Sequence, residues 1–325
     1  MAEKLAILGG EPAVIAPFKK LNTYNKQEEL AVQRVLRSGN LSSYLGAPGE
    51  FFYGGPEVLT FESLFSEKFQ VPYSISFNSW TSGLWAIFGA LDLEPGSEII
   101  VSSWTMAATA TTILHWGLIP VFADIDPRTF NIDLDQVKNK FSSKTRAVVS
   151  PDIFGLSADN ISLRSFCDEK KIYLVSDSAQ SPLSTDNLGN LTGTLCHIGG
   201  FSLNYHKHIH TGEGGVVVTR DSQLAERVKM LRNHGEVAVG FGNDFQKSQR
   251  GILGMNLRMG EIEAAIGSVQ LNKLTEVVES RRCASRNIIS ELTNLNGLRM
   301  PFIPEGYGHS FYVFGMLLDY ESNPD

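Results

Sequence analysis

Residues 98–124 read EIIVSSWTMAATATTILHWGLIPVFAD, and their pattern decides the fold. Glu98–Ser102 is a short apolar run rich in β-branched residues. Met106–His115 carries small and apolar residues at helical spacing, and Ile119–Asp124 is an apolar run again. The unit is strand, helix, strand. The same alternation continues outward, with further strands expected at Arg146–Ser150, Tyr173–Asp177, Ile198–Leu203 and Gly215–Thr219. Helices are expected at Ser82–Leu91, Asp133–Lys140 and Leu163–Lys171, with Asp133 as an N-cap. Strands that are apolar on both faces suit a sheet covered on both sides. Strand and helix alternating in this way predict an α/β fold with a mixed, mostly parallel sheet sandwiched by helices. The last two strands follow each other closely, which suits an antiparallel pair.

Two longer helical patterns follow. Gln223–His234 places Leu224, Val228 and Leu231 on one face. Gly260–Leu295 places Ile262, Ile266 and Val269 on one face and is long enough to run from one domain into another. Ser310–Leu318 reads as a strand, and a lone strand is not stable by itself. The expected organisation is a large domain over 1–260, then a linking helix and the start of a small α+β C-terminal domain, truncated, over 261–325. The loop Ser42–Pro56 is rich in Gly and aromatics, as a packed surface loop or a cover over a site would be.

Composition narrows the function. The 325 residues are 42% hydrophobic and 19% charged, with 28 Lys and Arg against 35 Asp and Glu, a formal charge of −7. An acidic surface repels phosphate backbones and argues against a nucleic-acid partner. No apolar stretch approaches the ~18 residues of a membrane helix, and the N-terminus lacks the apolar core of a secretory signal. Cys167, Cys196 and Cys283 are odd in number and widely spaced, which suits neither a disulfide framework nor a cysteine zinc site. A cytoplasmic protein is expected. P-loop, HExxH and GxSxG motifs are absent. Gly212-Glu-Gly214-Gly215 precedes a strand instead of opening a helix, so it fails as a dinucleotide fingerprint.

The chemistry centres on residues 199–219, GGFSLNYHKHIHTGEGGVVVT. Most lysines are solvated surface charges. Lys207 instead sits between two apolar strands, with glycines that permit close backbone approach to a ligand. Burial disfavours an ammonium, and a neutral amine forms Schiff bases with carbonyls. If the carbonyl belongs to pyridoxal phosphate, the ring nitrogen needs a buried carboxylate. Asp177 ends an apolar strand, and Gln180 lies within reach of a ring oxygen. The phosphate needs a helix N-terminus, which Asn78-Ser-Trp-Thr-Ser82-Gly83 offers. A ring cover is available from Ser103-Trp104-Thr-Met106. These pieces follow strand ends or open a helix, where open α/β sheets bind ligands.

From these residues the chain resembles the DegT/DnrJ/EryC1/StrS family of pyridoxal-phosphate-dependent sugar aminotransferases, which have the aspartate-aminotransferase-like (type I) fold. The resemblance runs from Leu5-Ala-Ile-Leu-Gly-Gly-Glu-Pro12 through Ser79-Trp-Thr-Ser82, Asp177-Ser-Ala-Gln180 and Ser202-x4-Lys207-x5-Glu213-Gly-Gly215. It ends near residue 318, after Arg232-Asn-His-Gly235 and Gly254-Met-Asn-Leu-Arg258. It implies that Lys207 is the Schiff-base lysine and proton shuttle, that Asp177 pairs with the ring nitrogen and that Gln180 contacts the ring hydroxyl. It assigns the phosphate to Thr81, Ser82 and Ser202, and has Asn256 reach the phosphate of a neighbouring subunit in a homodimer with shared active sites. The implied reaction moves an amino group from L-glutamate or L-glutamine to a keto group of a nucleotide-linked deoxy sugar or cyclitol.

The chain also departs from the pattern. Trp80 stands where glycine is usual, Ser178 where alanine is usual, and Met106 where an aromatic ring stacks on the cofactor, with Trp104 a possible substitute. A dehydrase subclass carries histidine in place of the lysine, and Lys207 argues against it. His206, His208 and His210 would share a face on a strand and could present three imidazoles to zinc. A polar loop beside the cofactor phosphate outweighs that reading, so no metal is expected. A non-catalytic regulator that keeps the fold is the alternative; the intact lysine, aspartate and glutamine favour the enzyme.

Overall fold

The computed structural model describes residues 4–18, 22–45, 51–236 and 252–319. Its centre is a seven-stranded sheet. β1 is Tyr73–Phe77, β2 Glu98–Ser102, β3 Ile119–Ala123, β4 Thr145–Pro151, β5 Tyr173–Asp177, β6 Ile198–Ser202 and β7 Gly215–Thr219. Their spatial order is β1-β7-β6-β5-β4-β2-β3. β6, β5, β4, β2 and β3 pair in parallel, while β7 runs antiparallel to both β6 and β1. The antiparallel pair expected at the end of the series is therefore β6–β7. The sequence reading missed β1, whose Ser74 and Ser76 break the apolar run; both are buried nonetheless.

Helices cover both faces, as β-branched strands buried on both sides require. α1 spans Lys26–Ser38, α2 Pro56–Phe69, α3 Trp80–Ala90, α4 Ala107–Leu114, α5 Leu134–Lys140, α6 Asn160–Lys170 and α7 Ser222–Arg232. Asp133 caps α5, accepting from the Gln136 N–H at 2.9 Å. On one face α3 and α7 pack Leu84, Ile87, Val228 and Leu231 against Ile75, Val175 and Val217. On the other, α2 lays Phe61, Phe65 and Phe69 over Phe201, Val216 and Val218.

The 32-residue helix α8, Glu261–Leu292, follows. Its fully buried stripe is Ala264, Leu271, Leu274 and Val278. Ile262 and Val269, expected to lead the apolar face, pack half-buried on Ala31, Val35 and Ala265. Past α8, β8 (Leu298–Arg299) and β9 (Leu317–Leu318) form a separate two-stranded pair. Of the strand expected over 310–318 only Leu317–Leu318, β9, is formed; the residues before it take another course. Their backbone bonds go instead to the loop after β4, with Ser310 N–H donating to Gly155 O at 2.8 Å and Val313 N–H to Phe154 O at 3.2 Å.

A buried ion pair ties α2 to α7. Arg232, 1% exposed, donates to Glu62 Oε1 at 2.5 Å, Ser76 O at 3.0 Å and Tyr53 O at 3.2 Å. Glu62 Oε1 also accepts the Ser76 N–H and O–H, at 2.8 and 2.7 Å. Tyr44 lies 5.1 Å from the guanidinium. The aromatic loop over 42–56 thus packs onto this pair through Tyr44 and Tyr53; residues 46–50 of it lie outside the described residues.

Candidate active site

The C-terminal ends of β2, β4, β5 and β6 open onto a cavity of about 240 Å³, the position at which open α/β sheets bind ligands. Lys207, Asp177, Gln180, Ser202, Thr81 and Met106 all line it. Residues separated by more than a hundred positions are brought together because parallel strands place their ends on one edge of the sheet.

Asp177 ends β5 and is 7% exposed. Its Oδ1 accepts the Trp80 Nε1–H at 2.7 Å and the Ala179 N–H at 3.3 Å, and its Oδ2 accepts the Thr109 hydroxyl at 2.7 Å. The carboxylate is thus held by donors from α3, α4 and its own turn. Gln180 Oε1 accepts the Phe154 N–H at 2.7 Å, which leaves the amide nitrogen as the group free to donate. Behind them lies the fully buried Asp152. Its oxygens accept from Ser176, Ser178, Asn160 and the Ala158 N–H, and burial still pushes its carboxyl up to about 6. Ser178, the departure from alanine, is a donor to this carboxylate.

Lys207 lies in the turn after β6. Burial lowers the pKa of its amine, and the Asp177 charge opposes that shift. Among the described residues it makes no ion pair; its Nζ stands 4.3 Å from the centroid of the Tyr312 ring. Tyr312 reaches the cavity from the segment following β8. No sequence signal pointed to it, since it lies more than a hundred residues from Lys207. Thr109 was also missed, although it sits three residues beyond Met106, one helical turn along.

At the other end of the cavity α3 begins. Ser79 caps it, its Oγ accepting from Ser82 N–H at 3.1 Å. The first N–H groups of a helix have no partner within it, and the residues that carry them here, Trp80 and Thr81, line the cavity. Ser79 and Thr81 line it; Ser82 stands just behind, its hydroxyl 2.9 Å from that of Ser79.

Two residues expected at the cofactor, Trp104 and Asn256, fall elsewhere. Trp104 does not line the cavity; its ring is 5.9 Å from Phe130, and the wall is made by Thr105 and Met106. Asn256 is exposed, its Oδ1 bound by Arg258 Nε at 2.9 Å, and it is outside this chain's own cavity. The three histidines lie on a turn, not a strand, and diverge. His206 lines the cavity, His208 Nε2 donates to Ser310 O at 2.8 Å, and His210 meets the Tyr24 hydroxyl at 3.2 Å.

A cleft at the carboxyl edge of a mixed α/β sheet, with a half-buried lysine near a hydrogen-bonded aspartate, defines an enzyme of the type I pyridoxal-phosphate class. Residues 26–325 match the model of the DegT/DnrJ/EryC1/StrS aminotransferase family, and the chain belongs to that family. It is 32% identical to the GDP-perosamine synthase of Vibrio cholerae over 269 residues, 82% of this chain and 71% of that one. It is 30% identical to the L-glutamine:2-deoxy-scyllo-inosose aminotransferase of Streptomyces fradiae over 325 residues, 98% of this chain and 75% of that one. A solved structure of the E. coli GDP-4-keto-6-deoxy-D-mannose-3-dehydratase with bound hydrated PLP superposes with a TM-score of 0.81 at 26% identity. The match covers 93% of this chain and 79% of that one. The cofactor is pyridoxal phosphate, and the cavity's donor set fits it. An unpaired lysine, a carboxylate already oriented by three donors, an amide nitrogen and open helix N–H groups match an aldehyde, a ring nitrogen, a ring oxygen and a phosphate in turn. No helix among the described residues is long and apolar enough to cross a membrane.

Proposed function

We propose that this aminotransferase moves an amino group from L-glutamate or L-glutamine to a keto group of a nucleotide-linked deoxy sugar or a cyclitol. The observation that carries the reading is the convergence of Lys207, Asp177 and Gln180 on one cavity. The acceptor class is supported by the relatives, whose names include a perosamine synthase and an inosose aminotransferase.

The geometry supports the following roles. Bound pyridoxal phosphate supplies an electron sink for the carbon that carries the transferred nitrogen. Asp177 sets a negative charge beside the ring nitrogen, so the proton there is retained. Gln180 donates from its amide nitrogen to the ring oxygen. Thr81, Ser82, Ser202 and the first N–H groups of α3 hold the phosphate, aided by the positive end of the helix. Lys207 Nζ would hold the cofactor's carbonyl carbon and, when free, would take and return the substrate proton as general base and acid. Its lowered pKa suits that task, because a neutral amine can accept a proton. Met106 forms the open wall over the ring.

Asn256, exposed and outside its own chain's cavity, suits a homodimer in which it completes the partner's phosphate site. Residues 1–260 are read as the cofactor-binding part, and 261–325 as the linking helix and the opening of a smaller unit, which returns Tyr312 to the cavity. A cytoplasmic setting fits three free cysteines, one of them exposed. The reading is tested by reducing the cofactor-loaded protein with borohydride and mapping its peptides. The pyridoxyl group is expected on Lys207; finding it only on another lysine refutes the assignment.

A further inference from the structure

We propose that Trp80 is a positioning residue for Asp177: its indole N–H fixes the carboxylate that faces the cofactor's ring nitrogen. This rests on the role assigned to Asp177 above and deepens it.

Trp80 is the first residue of α3, at a place where the backbone approaches the phosphate and the sequence pattern expects glycine. A side chain there has two outlets, solvent or the interior, and the indole takes the interior, with 7% of the residue exposed. Its seat is cut by two glycines. A Cβ on Gly200 of β6 would stand 2.3 Å from Trp80 Cζ3 and 2.6 Å from Cη2, and one on Gly83 would stand 3.0 Å from Cε3. A Cβ at Gly200 is incompatible with the indole, and one at Gly83 would press on it.

Shape alone would be met by phenylalanine. The indole adds one N–H, and a buried indole N–H requires an acceptor. That acceptor is Asp177 Oδ1 at 2.7 Å. The terminal torsion of an aspartate is broad, so a carboxylate plane is fixed only when both oxygens are held. Thr109 from α4 holds Oδ2, and Trp80 from α3 holds Oδ1. With the Ala179 N–H also on Oδ1, three of the roughly four acceptor directions of the carboxylate are occupied. The remaining one is on Oδ2, so a ring-nitrogen proton meets a single defined oxygen.

The test uses the cofactor-free protein and pyridoxamine 5′-phosphate, which binds without a carbonyl and so without a covalent link to Lys207. Its dissociation constant is measured for the native protein, Trp80→Phe, Asp177→Asn and the double variant. The bond is already formed without the ligand, so only the part of its worth that orients the carboxylate, up to about tenfold, is lost from binding. Trp80→Phe is therefore expected to weaken binding by up to about tenfold in the native background and less than twofold in Asp177→Asn, a dependence that defines coupling. The ring-nitrogen titration of the bound ligand, followed by its near-ultraviolet band, should move to lower pH in Trp80→Phe. Replacing Trp80 by 3-benzothienylalanine keeps the ring outline without the N–H and should reproduce the loss, which covers the case of a Phe variant that folds poorly. Equal losses in both backgrounds, or native affinity with the benzothienyl residue, overturn the proposal alone. An Asp177→Asn variant with native affinity and native ring titration overturns the role of Asp177, and the proposal with it.

Discussion

Replacing Arg232 by Met tests the physical account of the fold at its most demanding point. The substitution keeps much of the side-chain volume and removes the guanidinium. Its hydrogen bonds to Glu62 Oε1, Ser76 O, Ser76 Oγ and Tyr53 O go with it. The larger effect falls on Glu62, whose side chain is 11% exposed and is left with donors from Ser76 but no countercharge. Removing one partner of a buried pair costs about 3–5 kcal/mol, which corresponds to a drop in Tm on the order of 10 °C. Urea unfolding and thermal scans of the cofactor-free protein measure it. The informative control is Glu62→Gln with Arg232→Met. Glutamine retains a carbonyl for the Ser76 N–H and O–H but carries no charge, so the double variant should be more stable than Arg232→Met by about 2 kcal/mol, since an uncompensated buried charge is what the single change creates. A single variant within 1 kcal/mol of the native protein, or a double variant no better than the single, refutes the reasoning.

Asp177→Asn should keep the phosphate contacts and retain bound cofactor while turnover falls at least a hundredfold; near-native turnover in steady-state assays rules out its role. Burial holds His208 at about 3 in the folded chain, against about 6.5 when exposed. The unfolded chain therefore binds the extra proton below pH 6.5, so stability from this group is full above that pH and declines by up to about 1.4 kcal/mol per unit as the pH falls toward 3. Asp152, raised to about 6, slopes the other way, so the measured quantity is the difference in urea midpoint between native and His208→Gln proteins at pH 7 and pH 5. An unchanged difference contradicts the assignment. Light scattering of the purified enzyme should give at least a dimer, and a fully active monomer would exclude the shared phosphate site drawn from Asn256.

The strand–helix alternation over 98–219 was legible because every strand there except the edge strand β3 is buried on both faces, and a β-branched run such as Val216-Val217-Val218 has one stable use. Helix starts were legible to within a few residues, because caps such as Asp133 act over three positions. The spacing of Lys207, Asp177 and Gln180 carried the chemistry, since each stands at a strand end or in the turn beyond it. β1 was hidden because its serines are buried by Glu62 and Ser66, residues of another element. The strand expected at 310–318 is reduced to Leu317–Leu318 because the backbone of Ser310 and Val313 is bonded to the loop after β4.

What the sequence by itself determined is therefore local and periodic: the strands and helices between residues 82 and 234 and the long helix from 260, and which residue types end them. Only the tertiary structure decided that Trp80 and Thr109 share Asp177, 97 and 68 residues away, that Tyr312 faces Lys207, and that Arg232 meets Glu62 across 170 residues. Those pairings depend on the order of strands in the sheet and on which way each side chain turns, and neither quantity is written in the spacing along the chain.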